Sequence, residues 1–272
     1  MTDPIFDFQR FARLLRAHWA ESWREYAWFA AALAMLDLIF MAIFLSGSSG
    51  NSFLQFKFES QVAWYMTGLF LSALIFAGRY FKYLLNPGAS LIALMRPASV
   101  FEKWLMAFLF ISIFYPLAYT LLYILLNYPA VQLARSMAAQ GIKLNFLESD
   151  YRFYIPFLTT TSVVDGGRGA RIFLTSQQLF FILLNTAQAL MAGGTAFFKR
   201  SPVLSTLLVS FLLFVFFTLA GVAPKLGIFA LDYDDIVQHN TLEYALSVTL
   251  WLGLPVLLWA ALFFHIKERE LA

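Results

Sequence analysis

Apolar residues fall in six long runs, 27 to 46, 63 to 85, 104 to 127, 172 to 198, 203 to 223 and 243 to 266, with most charges between the runs or at their ends. A hydrocarbon core of about 30 Å is crossed by roughly 20 apolar residues in a helix. The pattern therefore predicts six transmembrane helices in an all-α, multi-pass fold. Before the first run the period changes. At 100° per residue, Phe8, Phe11, Ala12, Leu15, Trp19, Trp23 and Tyr26 share a sector of about 120°, opposite Gln9, Arg10, Arg13 and Arg24. This predicts an amphipathic helix over 1–26, lying in the membrane interface ahead of a six-span domain over 27–272. The plainer alternative is a soluble helix packed on the protein's own core.

Between the third and fourth runs lies a 44-residue segment, 128 to 171, opening at Pro129 and closing with Asp165, Gly166, Gly167, Arg168 and Gly169. Within it, Val131 to Gln140 has the pattern of one short helix. No internal repeat is evident. The N-terminus lacks the short apolar core and small-residue site of a cleaved signal peptide, since arginines interrupt it throughout.

Composition strengthens the membrane reading. Of 272 residues, 61% are hydrophobic and 13% charged, against roughly 45–50% and 25% in soluble domains. An even number of spans puts both termini on one side, and the basic residues choose which. Cytoplasmic termini leave Arg10, Arg13, Arg16, Arg24, Arg79, Lys82, Arg96, Lys103, Lys199, Arg200, Lys267 and Arg269 inside, twelve of the 19 bases. Five of the other seven lie in 128–171, and long translocated segments weigh less in the rule. The net charge of +3 is thus assigned to the lipid surface, and no nucleic-acid partner is expected.

Little in the chain suggests chemistry of its own. With no cysteine, thiolate metal sites and cysteine nucleophiles are excluded. GxxxxGK[ST], HExxH and GxSxG are all absent. His18, His239 and His265 are scattered, and the cluster Asp232, Asp234 and Asp235 lacks further ligands, so no catalytic, cofactor or metal site is assigned.

Four polar residues inside the runs stand out. Asp37 sits near the middle of the first run, where an ionisable group is costly and suggests function by default. The alternative is a hydrogen-bonded Asp fixing one helix contact. Gln178, Asn185 and Gln188 share one face of the fourth helix. Together with Asp37 they are candidates for a translocation path, while the competing reading of the amides is interhelical glue, with Gly193 and Gly194 allowing close helix approach.

The segment joining the second and third runs, 86–103, is too apolar for a plain connector. Pro87 and Pro97 bracket a stretch with room for one or two helical turns, presenting Leu91, Ile92, Leu94 and Met95. Ser99 and Glu102 have the spacing of a capping box that opens the third span. The competing reading is an interfacial loop with its leucines in lipid.

Residues 94 to 104, Leu-Met-Arg-Pro-Ala-Ser-Val-Phe-Glu-Lys-Trp, resemble a pattern in bacterial ABC transporter permeases of the type 2 exporter class. The similarity extends to the basic N-terminal helix, the six spans, the Gly78-Arg79-Tyr80 ending of the second and Gly194 to Arg200 closing the fourth. It implies a transport subunit, not an enzyme, working as a dimer with a second copy or paralogue in the bacterial inner membrane. A separate ATPase chain would bind ATP and magnesium. It further implies that Leu91, Leu94, Met95, Arg96, Pro97, Glu102 and Lys103, with Lys199 and Arg200, couple to that ATPase. The long segment 128–171 departs from the best-known members. A membrane-embedded enzyme and a noncatalytic assembly or sensor protein are the alternatives.

Overall fold

The computed structural model describes residues 5–46, 58–82, 97–139, 152–156, 176–198, 201–219 and 241–271. Helices dominate, and among the described residues there is no strand. In chain order they are α1 (Phe8–Ser46), α2 (Phe58–Tyr80), α3 (Val100–Phe108), a π-helical segment (Leu109–Phe114), α4 (Tyr115–Ala139), α5 (Ser176–Phe197), α6 (Pro202–Leu219) and α7 (Thr241–Leu271). Among the described residues four stretches are long and apolar enough to cross a membrane, Phe8–Ile43, Ser60–Tyr80, Val100–Ser136 and Phe180–Phe197.

Two expected boundaries differ. No separate helix ends at residue 26, because α1 runs unbroken for 39 residues. Sharp helix bends need Pro, Gly or an inserted group, and 8–46 contains neither Pro nor Gly. The amphipathic stretch is therefore the first half of the first long helix. Likewise α4 passes through Pro129 to Ala139, so 131–139 continues the third helix. A proline inside an apolar helix removes one N–H and bends the rod without ending it.

The chain divides into two compact units. One comprises Phe8–Ser72 and Ile113–Thr159. Here α1 packs along α4, with Phe29 tilted against Tyr115 at 6.1 Å between ring centres. Phe11, Leu14, Asp37 and Met41 lie on the covered stripe of α1, while Trp19, Trp23 and Trp28 are exposed. Arg24 lies over the Trp23 ring at 5.6 Å, a cation–π contact.

The other unit comprises Met1–Asp7, Ala73–Ser112 and Thr160–Ala272. Its core gathers Ala77, Phe81, Ala107, Ile111, Ala189, Ala192, Ala196, Trp259 and Leu262. The alanines of α5 let its backbone come close to its neighbours. Between α5 and α6, Ser201 takes a left-handed φ of 43° and its carbonyl accepts from Ser205 N at 2.9 Å. Pro202 follows at the first helical position, where its missing N–H is harmless. The hairpin closes so tightly that a Cβ on Gly194 would fall inside the Thr206 side chain, whereas Gly193 faces open space.

Candidate functional site

The densest buried polar cluster in the first unit surrounds Asp37. Its Oδ1 accepts from Trp64 Nε1 at 2.7 Å and its Oδ2 from Asn127 Nδ2 at 3.0 Å, from α2 and α4 respectively. Asn127 also donates to the Tyr123 carbonyl at 3.2 Å. Phe40 stacks on Trp64 with ring centres 3.6 Å apart, which holds the indole N–H on the carboxylate.

Helical spacing builds the walls. On α4, Tyr115, Tyr119, Tyr123 and Asn127 recur every fourth residue, and on α2 Gln61, Trp64, Tyr65 and Gly68 follow at three, four and seven, so each set lines one face. Tyr65 is fully buried and meets Tyr123 edge-on at 4.8 Å. Thr120 gives its single hydroxyl proton to the Pro116 carbonyl at 2.7 Å, so Tyr65 is the donor in its 2.7 Å bond to Thr120 Oγ1. Gly68 leaves room for Tyr119, whose hydroxyl a Cβ there would strike.

A non-helical stretch, residues 152–156, closes one end of this cluster. Gln61 donates to the Arg152 carbonyl and accepts from Tyr154 N, both at 3.1 Å. The pair of bonds fixes which end of the Gln61 amide is oxygen. Tyr154 is seated at 5.6 Å from Tyr65 and 5.8 Å from Phe58. Burial pushes its phenol up to about 12, so near neutral pH it keeps its proton. Trp64 lies three residues along α2 from Gln61, about 4.5 Å of rise. Asp37 thus sits roughly one turn beneath the clamped segment.

The sequence singled out Asp37 but missed Gln61, Trp64, Asn127 and the tyrosines. The period of four on α4 was the available signal. In a chain with 31 Phe and 12 Tyr, that period reads as ordinary packing.

In the second unit Asn185 and Gln188 of α5 bond to neighbouring elements. Asn185 Oδ1 accepts from Trp259 Nε1 at 2.8 Å, with Ser112 Oγ at 3.5 Å, and the buried Gln188 donates to the Ile111 carbonyl at 2.9 Å. Gln178 stands in the first turn of α5, its side chain outside the described residues.

The expected capping box is present. Ser99 Oγ accepts from Glu102 N at 3.2 Å, and Glu102 Oε2 accepts from Ser99 N at 3.0 Å. The N-terminal segment seals it: Ser99 Oγ donates to the Ile5 carbonyl at 2.6 Å, Asp7 N donates to Glu102 Oε1 at 2.8 Å, and Phe6 meets Phe101 edge-on at 6.3 Å. Glu102 has no exposed surface. Its expected role as a direct contact for another chain is therefore corrected, because both carboxylate oxygens are held by backbone amides inside the protein. Pro97 is exposed and Lys103 half-buried, while Leu91, Leu94, Met95, Arg96, Lys199 and Arg200 lie outside the described residues.

Among the described residues no group of three His, Cys, Asp or Glu side chains is placed to hold a metal. No family model, curated protein or solved structure matches the chain.

Proposed function

We propose that the chain is the membrane-spanning permease subunit of an ATP-binding cassette exporter, driven by an ATPase carried on a separate chain. The observation that carries this reading is the apolar connector 86–103, framed by Pro87 and Pro97 and ending on the Ser99–Glu102 capping box of a long apolar helix. The sequence of this connector supplies aliphatic residues just ahead of the cap, and the chain has no phosphate loop of its own.

Six spans belong to this reading. Beside the four stretches already named, α6 has 18 residues and α7 has 31, rises of about 27 and 46 Å against a core of roughly 30 Å. The surplus of bases supports cytoplasmic termini, and the resemblance of residues 94–104 to exporter permeases supports a bacterial inner membrane and pairing with a second copy or a paralogue. ATP and magnesium belong to the ATPase chain. Residues 87–98 couple to it with Lys103, Lys199 and Arg200, and Glu102 supports the connector from beneath.

The deciding experiment is copurification of the wild type and of Leu94→Asp/Met95→Asp, at equal membrane expression, with a lone ATPase domain encoded by a neighbouring gene. Aliphatic side chains buried at such a contact contribute roughly 1.5 to 3 kcal/mol each, so association should weaken at least tenfold. Unchanged association and ATPase stimulation would leave the connector as a lipid-buried loop.

A further inference from the structure

We propose that the Asp37 cluster is a binding site for a small organic cation, an alkylated ammonium, with the segment Arg152–Pro156 as its lid. Asp37 is 8% exposed, and the two side chains that donate to it, an indole and an amide, are neutral. A carboxylate out of water is normally matched by a positive charge. Trp64 and Asn127 hold the carboxylate in place without neutralising it. Arg152 is close in sequence to the lid's buried tyrosine, but its side chain is exposed.

The surroundings suit a cation. Ring faces carry negative potential, and a carboxylate among them favours an ammonium over an anion or a neutral molecule. Tyr65 has Tyr119, Tyr123 and Tyr154 at 5.8, 4.8 and 5.6 Å between ring centres, and Trp64 brings both a ring and the N–H that touches Asp37.

Two further observations separate this cluster from ordinary packing. The hydroxyls of Tyr123 and Tyr154 are buried and have no hydrogen-bond partner among the described residues, an arrangement that folded proteins avoid. Among the described residues Tyr154 also belongs to a wall that is not helical, and the Gln61 side chain pins that wall by two bonds. Lifting Tyr154 opens the space over Tyr65 and Tyr123 and frees both unpartnered hydroxyls to meet water or ligand. The other walls lie on α1, α2 and α4 and stay in place.

The proposal needs no ATPase and stands or falls on binding alone. The purified full-length protein in detergent is titrated with choline and with 3,3-dimethylbutan-1-ol, which has the same shape without the charge, and thermal unfolding is followed. Choline in the millimolar range should raise the midpoint, and the neutral isostere should not. Asp37→Asn keeps the shape and removes the charge, so half-saturation should move up about tenfold. Tyr154→Ala removes the lid's ring, so choline should bind at lower concentration. Should Asp37→Asn fail to fold, the comparison of choline with its isostere on wild type and Tyr154→Ala decides alone. Equal shifts from the two compounds, or none from choline in either protein, would overturn the proposal.

Discussion

Gln188 gives a side-chain N–H to the main-chain oxygen of Ile111 at 2.9 Å, and the reason lies five residues further along, at Pro116. Leu109–Phe114 is wound as a π-helix, in which each carbonyl accepts from the N–H five positions on. For Ile111 that position is Pro116, which has no N–H. A buried carbonyl without a partner is expensive, and Gln188 supplies the missing donor. Gln188→Met keeps the bulk and removes the donor, so stability should fall by about 1–3 kcal/mol. Pro116→Ala restores a backbone N–H and should recover part of that loss, as read by thermal unfolding of both single variants and the pair.

The α5–α6 hairpin discriminates between two adjacent glycines. Gly194→Ala drives a methyl into Thr206, a short, stiff side chain with nowhere to turn, and should destabilise by about 1–3 kcal/mol. Gly193→Ala meets nothing within 4 Å and should stabilise by a few tenths up to about 1 kcal/mol through helix propensity. Thr206→Ala removes the Oγ1 and Cγ2 contacts but keeps the Cβ that also crowds the new methyl, so it should recover only part of the Gly194→Ala loss and leave Gly193→Ala unchanged.

Glu102 supports two pieces of chain at once. Glu102→Gln turns one acceptor oxygen into an NH₂, so the remaining oxygen can accept from Asp7 N or from Ser99 N but not from both, and the N-terminal segment should loosen. Ser99→Ala removes the cap oxygen and should cost about 1 kcal/mol. Proteolytic sensitivity at residues 5–7 should rise in both Glu102→Gln and Ser99→Ala, and unchanged sensitivity in both would refute the contact.

Alkaline pH should loosen the segment 152–156. Burial raises the Tyr154 phenol from 10.0 to about 12, so folding favours the neutral form. That stabilisation is complete below about pH 10 and is lost as pH climbs through about 12. Hydrogen exchange of the 152–156 amides should speed up over this window in the wild type. In Tyr154→Phe, which keeps the ring and loses the titrating group, this effect should be absent.

The absence of native cysteine makes orientation easy to read. With both termini cytoplasmic, cysteines at Ser49 and Gly167 should react with an impermeant thiol reagent added outside intact cells, and one at Ser201 should not. Reversed labelling would invert the proposed topology.

The helical, membrane-embedded character of the chain was legible in the sequence, because hydrophobic runs are a property of consecutive residues and bilayer thickness converts their length into spans. The Ser99–Glu102 box was legible for the same reason, since its two partners are three residues apart. Asp37 could be flagged, as a charge in an apolar run always can, but its partners stand 27 and 90 residues away. Only folding brings Trp64 and Asn127 to one carboxylate. Glu102 was legible as a capping residue, but its cover by the distant N-terminal segment came only from the fold. Continuity across residue 26 and through Pro129 also came from the structure, since patterning marks where a helix becomes apolar but not whether its axis turns. Local spacing determined the elements and their caps. The pairing of polar groups across helices depended on the tertiary structure, because inside an apolar protein most buried donors and acceptors are satisfied by whatever partner the packed backbones bring into reach.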